Sequence, residues 1–149
     1  MSDFIRAPRE FFRVEDASSR ASYIEGKGIY AEDDYTWVDF DSTGARLFAQ
    51  IGQHLQWANK HPTPFISAYS DEDVAWREAE RRCLDGKKDV RIYTINTNRR
   101  GKAIEYRNIR RLAKKVGLWI DDQAWNNSKY EYIFLHHIPK SMIVGTFKL

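Results

Sequence analysis

Three polar residues that could carry chemistry fall in or beside predicted strands: Arg13, Ser67 and Glu131. In segment 129–139, Tyr, Ile and Phe crowd together ahead of a proline, a pattern typical of a strand. The period-two alternation of a strand puts Glu131 on the same face as Ile133 and Leu135. Burying a carboxylate beside aliphatic residues costs free energy, so this face should line a cleft or supply a partner for the charge. The alternative is an edge strand that leaves Glu131 in water.

The elements that must position these residues alternate between short strands and helices. Besides 129–139, the pattern predicts strands at 11–14, 29–31, 65–67, 90–96 and 143–145. It predicts helices at 16–24, 42–59, 70–86 and 105–116, and a loop at 119–128. No internal repeat, linker or low-complexity segment divides the chain. We therefore expect a mixed α+β fold and a single domain, 1–149.

Composition restricts the function classes. The 149 residues are 42% hydrophobic and 14% aromatic, which argues for a folded domain with a sizeable core. The sequence contains no apolar run that could span a membrane and no apolar signal core at its start. We thus expect a cytoplasmic protein as given, or an effector whose leader has been removed. The single cysteine, Cys83, excludes an internal disulfide and a cysteine-rich zinc site, and its helical position predicts a buried structural thiol.

Three short motifs occur in a recognisable order. Segment 12–18 (FRVEDAS) carries Arg13 after aromatic residues and before an acid and a serine. Segment 65–71 (FISAYSD) places Ser67 in a strand that runs into a helix, and Glu131 precedes an Ile-Pro turn and a further strand. Together these motifs resemble the catalytic chain of the heat-labile and cholera-type enterotoxins, the Arg-Ser-Glu class of mono-ADP-ribosyltransferases. The middle motif differs from the family's Ser-Thr-Ser in two of its three letters.

The resemblance implies a fold in which two small β-sheets form a cleft for NAD. It also implies that NAD is cleaved and its ADP-ribose transferred to a protein or other acceptor. Glu131 would stabilise the oxocarbenium-like state and hold the ribose 2′-hydroxyl, in analogy with glycoside cleavage. Arg13 would bind the pyrophosphate or the adjoining ribose through its planar fork, and Ser67 would orient Glu131.

Two further residues become candidates through the same resemblance. Tyr69 could stack on the nicotinamide, or simply pack in the core. His54 falls near the position of a histidine that the enterotoxins carry before the serine strand. By contrast, His136 and His137 point to opposite faces of a strand, so the sequence predicts no metal site there.

The clearest departure from the family is Lys129, which replaces the first acid of its Glu-x-Glu motif. Period two places Lys129 on the face of Glu131, where it could pair with the carboxylate and lower its basicity. Transfer to arginine is therefore in doubt. The alternatives are an NAD glycohydrolase or an inactive domain that still binds a ligand. Asn127 belongs to the predicted loop that would deliver Lys129 and Glu131 to the cleft.

A binding function of a different class competes with the enzyme. The predicted helix 105–116 shows a run of cations to one side, with Trp119 and Trp125 just beyond it. Such a face could bind nucleic acid through phosphates, contact a protein acceptor, or simply be solvated. The net charge of +3 is too small to require a nucleic-acid partner by itself.

Overall fold

The protein is built from nine strands and four helices in the part of the chain that the structure describes. This structure, a computed structural model, describes residues 8–56, 62–99 and 104–149. The strands are β1 Glu10–Glu15, β2 Ser22–Ile24, β3 Gly28–Tyr30, β4 Phe65–Tyr69, β5 Arg91–Asn96, β6 Tyr106–Asn108, β7 Glu131–Leu135, β8 His137–Pro139 and β9 Ile143–Lys148. The helices are α1 Ala45–Leu55, α2 Glu72–Leu84, α3 Ile109–Val116 and α4 Asp122–Ser128.

The strands form two sheets whose pairs are all antiparallel. The larger sheet has the order β6-β7-β4-β1-β5-β9, and the smaller has the order β2-β3-β8. The predicted mixed α+β class is confirmed, since two sheets and helices share one chain. The edge position suggested for the strand of Glu131 is wrong: β7 lies between β6 and β4.

The core follows from the alternation of side chains along the large sheet. Ile66 and Ala68 of β4 face one side, where they pack with residues of the small sheet such as Ile29 and Ile138. Phe65 faces the other side and packs under α1 and α3. Further along that side, residues of β1 pack against Ala75 and Ala79 of α2. Between these two helix-covered clusters the sheet surface carries polar side chains.

Three predicted segments differ from the structure in type. Segment 16–24 is not a helix, because Asp16 accepts the Ser18 N–H at 2.7 Å in a turn and β2 follows. The first residues of segment 105–116 form β6 on the edge of the sheet, and α3 begins only at Ile109. Segment 119–128 contains α4, whose first turn is capped by the side chain of Asp121. Pairing with a neighbouring strand decided the first two cases, which a local pattern does not reveal.

Cys83 is exposed, so the prediction of a buried thiol is wrong. The helix itself forms as predicted, with Asp71 accepting the Val74 N–H at 3.1 Å as its N-cap. Residues eight positions apart in an α-helix differ by about 80° in direction. Ala75 is therefore buried against the sheet, whereas Cys83 turns toward solvent. Within the described residues, no helix is long and apolar enough to cross a membrane.

Gly28 is required where β3 pairs closely with β8 in the small sheet. Its φ is +117°, and a Cβ there would lie 2.1 Å from the backbone oxygen of Ile138. We expect Gly28→Ala to lower the free energy of unfolding by about 2–3 kcal/mol, measured by urea denaturation. Gly26→Ala is the control, since Gly26 also has a positive φ but open space around it. That variant should lose only about 1 kcal/mol; equal losses would contradict the steric explanation.

Candidate functional site

Two of the three predicted residues meet on neighbouring strands of the large sheet. In the pairing of β4 with β7, Tyr69 lies opposite Glu131 and Ser67 lies opposite Ile133. Ser67 and Glu131 therefore project from the same face, on the diagonal. The Ser67 hydroxyl donates to Oε2 of Glu131 at 2.8 Å. The carboxylate of Glu131 shares a face with the apolar Ile133, and Ser67 supplies the hydrogen-bond donor that it needs there.

His54, from α1, extends this contact. Its Nε2 lies 2.7 Å from Oγ of Ser67, and its Nδ1 lies 2.7 Å from Oγ1 of Thr63. Because Ser67 gives its hydroxyl proton to Glu131, the Nε2–H of His54 must donate to Ser67. With a neutral ring, Nδ1 then accepts from the Thr63 hydroxyl. One directed chain of hydrogen bonds therefore runs from Thr63 through His54 and Ser67 to Glu131.

Burial and nearby charges shift the pKa values of the titratable groups in this chain of hydrogen bonds. Burial, with a smaller contribution from the Arg13 guanidinium, lowers the pKa of His54 to about 4, so the ring is neutral at pH 7. Burial also raises the pKa of Glu131. The hydrogen bond from Ser67 opposes that rise, and the nearby carboxylate of Glu78 adds to it. Glu131 is consequently a more basic carboxylate than one in water.

Arg13 lies where the large sheet splits. The register between β1 and β4 joins a single Cα pair, Phe12 with Tyr69, and the strands separate beyond it. The guanidinium of Arg13 fills this opening: Nη1 donates to the Ser67 carbonyl at 2.8 Å and Nη2 to the Ala21 carbonyl at 2.9 Å. Burial keeps only 7% of Arg13 exposed. The side chain thus fixes the backbone that carries Ser67.

Arg13 also holds the buried Glu15. Its Nε lies 3.4 Å from Oε1 of Glu15, whose Oε2 accepts the Tyr23 N–H at 3.1 Å. Of the five N–H groups in the guanidinium, these contacts use three. Two N–H groups of Arg13 therefore make no hydrogen bond to the described residues.

A cleft of about 680 Å³ opens beside this group of residues. Arg13, His54, Thr63 and Ser67 line it, whereas Glu131 and Tyr69 are not part of its lining. Glu131 is half-buried behind Ser67. A ligand in the cleft would contact Arg13 and Ser67, and Ser67 separates it from Glu131.

The opposite wall of the cleft comes from the end of α2, whose residues were not predicted as part of a site. Arg82 binds Oδ2 of Asp16 at 3.0 Å and Oε2 of Glu78 at 2.8 Å. Burial would raise the pKa of Glu78, but hydrogen bonds from Arg81 and Arg82 lower it below its usual value. The alternating acids and arginines of α2 were the available signal, but such pairs are common on solvated helices. Thr63 carried no signal, since only the fold brings it to His54.

The remaining predicted residues have other surroundings. Tyr69 packs with apolar residues of β1 and α2, in agreement with the packing role that was its alternative interpretation. Lys129 is the C-cap of α4 and precedes β7, so the alternation argument that placed it beside Glu131 does not apply. Its ammonium lies 5.5 Å from the centre of the Tyr130 ring. Asn127 is in α4 rather than in a loop, and its carbonyl accepts the Tyr130 N–H at 3.0 Å.

The low pKa of His54 predicts a pH dependence of stability. The unfolded chain takes up a proton on this histidine near pH 6.5, whereas the folded protein does so only near pH 4. Stability should therefore fall as the pH drops from 6.5 toward 4, by about 2–3 kcal/mol for this residue. The measurement is urea denaturation of the wild type and of His54→Asn between pH 7.5 and 4.5. The variant should lose part of this dependence; identical slopes would contradict the buried neutral ring.

Comparison with known proteins assigns a family. Residues 6–149 match the family described as "Domain of unknown function (DUF7587)", and the chain belongs to this family. No curated protein matches the sequence. Within the described residues, no group of three or more His, Cys, Asp or Glu side chains could hold a metal ion.

Proposed function

We propose that this protein is an ADP-ribosyltransferase or NAD glycohydrolase of the Arg-Ser-Glu class, with NAD as its substrate. The observation that carries the proposal is the hydrogen bond from Ser67 to Glu131. Arg13 binds the backbone carbonyl of the same serine. The three residues come from separate parts of the chain, and the resemblance had assigned them one site. His54 on the same serine adds a fourth matching residue.

The residues suit cleavage of the bond between nicotinamide and ribose. That bond breaks with its electron pair passing to the nicotinamide nitrogen, which neutralises the ring and leaves an oxocarbenium-like ribose. The carboxylate of Glu131 would stabilise this cation and hold the 2′-hydroxyl. The acceptor oxygen or nitrogen then bonds to the ribose carbon and releases its proton to solvent. Ser67 and His54 keep the carboxylate in place without becoming charged.

Arg13 supports binding of the NAD phosphates in the cleft. It is held rigidly by two backbone carbonyls and Glu15, yet lines the cleft. Its two remaining N–H groups can donate to a phosphate or to the adjoining ribose. A guanidinium fixed before the ligand arrives loses little entropy on binding.

The acceptor is less constrained than the donor. Because residue 129 is a lysine, the site has no carboxylate two residues before Glu131. In the described residues, the Lys129 ammonium makes no ion pair with Glu131. No acid at that position can therefore take a proton from an incoming arginine. We favour water, or a nucleophile that needs no such base, as the acceptor.

The test is release of nicotinamide from NAD by the purified protein, alone and with a cell lysate. Release by the protein alone would support the glycohydrolase, and release only with the lysate would support a transferase. Adenine-labelled NAD distinguishes them further, because only transfer labels an acceptor. Absence of release in both cases, together with absence of NAD binding by calorimetry, would overturn the proposal.

A further inference from the structure

A second cavity lies at the β6 edge of the large sheet, where β7 separates it from β4. It is independent of the proposed activity. It has a volume of about 450 Å³ and is formed where β6 turns into α3. Its polar lining is dominated by cations, and its apolar lining includes two half-buried tyrosines of the sheet. These residues are Arg107, Arg111, Lys115, Tyr106 and Tyr132. This surface is called the β6–α3 groove below.

The cations of the groove lack strong acidic partners. Arg107 lies 3.8 Å from Asp41, whose side chain is 88% exposed, so this ion pair contributes little. Lys115 donates to the backbone carbonyl of Phe40 rather than to a carboxylate. Arg111 makes no side-chain hydrogen bond or ion pair within the part of the chain that the structure describes. The groove therefore carries an excess of positive charge that an anion could neutralise.

The positive surface extends beyond the groove along α3. The sequence of this helix, IRRLAKKV, contains four cations and no acid. Arg110 stacks over the ring of Trp125 at 3.7 Å, and Trp125 is 40% exposed. This positive surface is long enough to contact more than one phosphate, and aromatic rings lie beside it. Such a surface suits a polyanion that also presents flat bases.

From this arrangement we infer that the β6–α3 groove binds single-stranded nucleic acid. One base packs against the two half-buried tyrosines of the groove. The adjacent phosphates contact its three cations, Arg107, Arg111 and Lys115. A groove at a sheet edge admits an unpaired base, whereas the stacked bases of a duplex cannot enter it. The contact of a base with these aromatic side chains distinguishes this ligand from a purely charged one.

The test uses fluorescence anisotropy with labelled single-stranded RNA and DNA on the order of a dozen nucleotides long, at low salt. Three cations on phosphates predict a slope of log affinity against log salt of about −2. Arg111→Gln with Lys115→Gln should weaken binding about tenfold or more and reduce the slope by about 1.4. The control is Lys88→Gln with Lys140→Gln, the same charge change on exposed residues outside the groove.

The outcomes separate the proposal from simpler charge effects. Loss of binding in the groove variant, with binding retained in the control, would support it. Equal weakening in both double variants would overturn it, as would equal affinity for duplex DNA or for inorganic polyphosphate. Absence of binding at low salt would also overturn it. Nicotinamide release is measured in parallel, and failure of that activity leaves this test unaffected.

Discussion

Glu131→Gln is expected to lower nicotinamide release from NAD by at least about a hundredfold while the protein remains folded. The amide keeps the size of the side chain and can still accept the hydrogen bond from Ser67. It removes the negative charge that would stabilise the oxocarbenium-like state, and one fixed electrostatic contact of this kind contributes about 10²–10³ in rate. The measurement is the initial rate of nicotinamide release at saturating NAD.

The matched control is Glu80→Gln, the same change on an exposed position of α2, which should leave the rate unchanged. The stability of Glu131→Gln is measured as well. Because burial raises the pKa of Glu131, its charge costs free energy in the folded state. The variant should therefore be at least as stable as the wild type at pH 7. Full retained release, or loss of folding, would contradict the assigned role.

Arg13→Met is expected to lower the free energy of unfolding by about 3–5 kcal/mol. The substitution leaves the buried carboxylate of Glu15 without its cation. It also removes the donors to the carbonyls of Ser67 and Ala21, which lie where β1 and β4 separate. Urea denaturation at pH 7 measures the effect, and Arg77→Met, on an exposed position of α2, should change stability by less than about 1 kcal/mol.

A double variant tests the physical cause of this loss. If the unpaired carboxylate dominates, Arg13→Met with Glu15→Leu should recover part of the stability, since a hydrophobic pair can replace a buried ion pair. A loss below about 1 kcal/mol in Arg13→Met would contradict the structural role of the guanidinium. The same side chain thus fixes the fold and faces the cleft, as expected of a preorganised binding residue.

Much of the secondary structure could be predicted from local patterns. Alternating residues predicted β1, β4, β5 and β7, and the residues at 70–73 marked the start of α2. These predictions succeeded because strands and helices of this length bury one periodic face, and caps act on their own neighbours. They failed at 16–24, where the chain forms a turn and a hairpin with β3, and at 105–108, where hydrogen bonds to the distant β7 outweighed the local preference for helix.

For the candidate site, the sequence by itself determined which side chains were available: a carboxylate on an apolar strand, a serine on another and an arginine on a third. Tertiary structure decided how they combine. The register of β4 with β7 brought Ser67 to Glu131, and the packing of α1 brought His54 to both Ser67 and Thr63. It also removed Lys129 from the strand. The reason is that strand order and register depend on the whole buried core, which no short motif encodes.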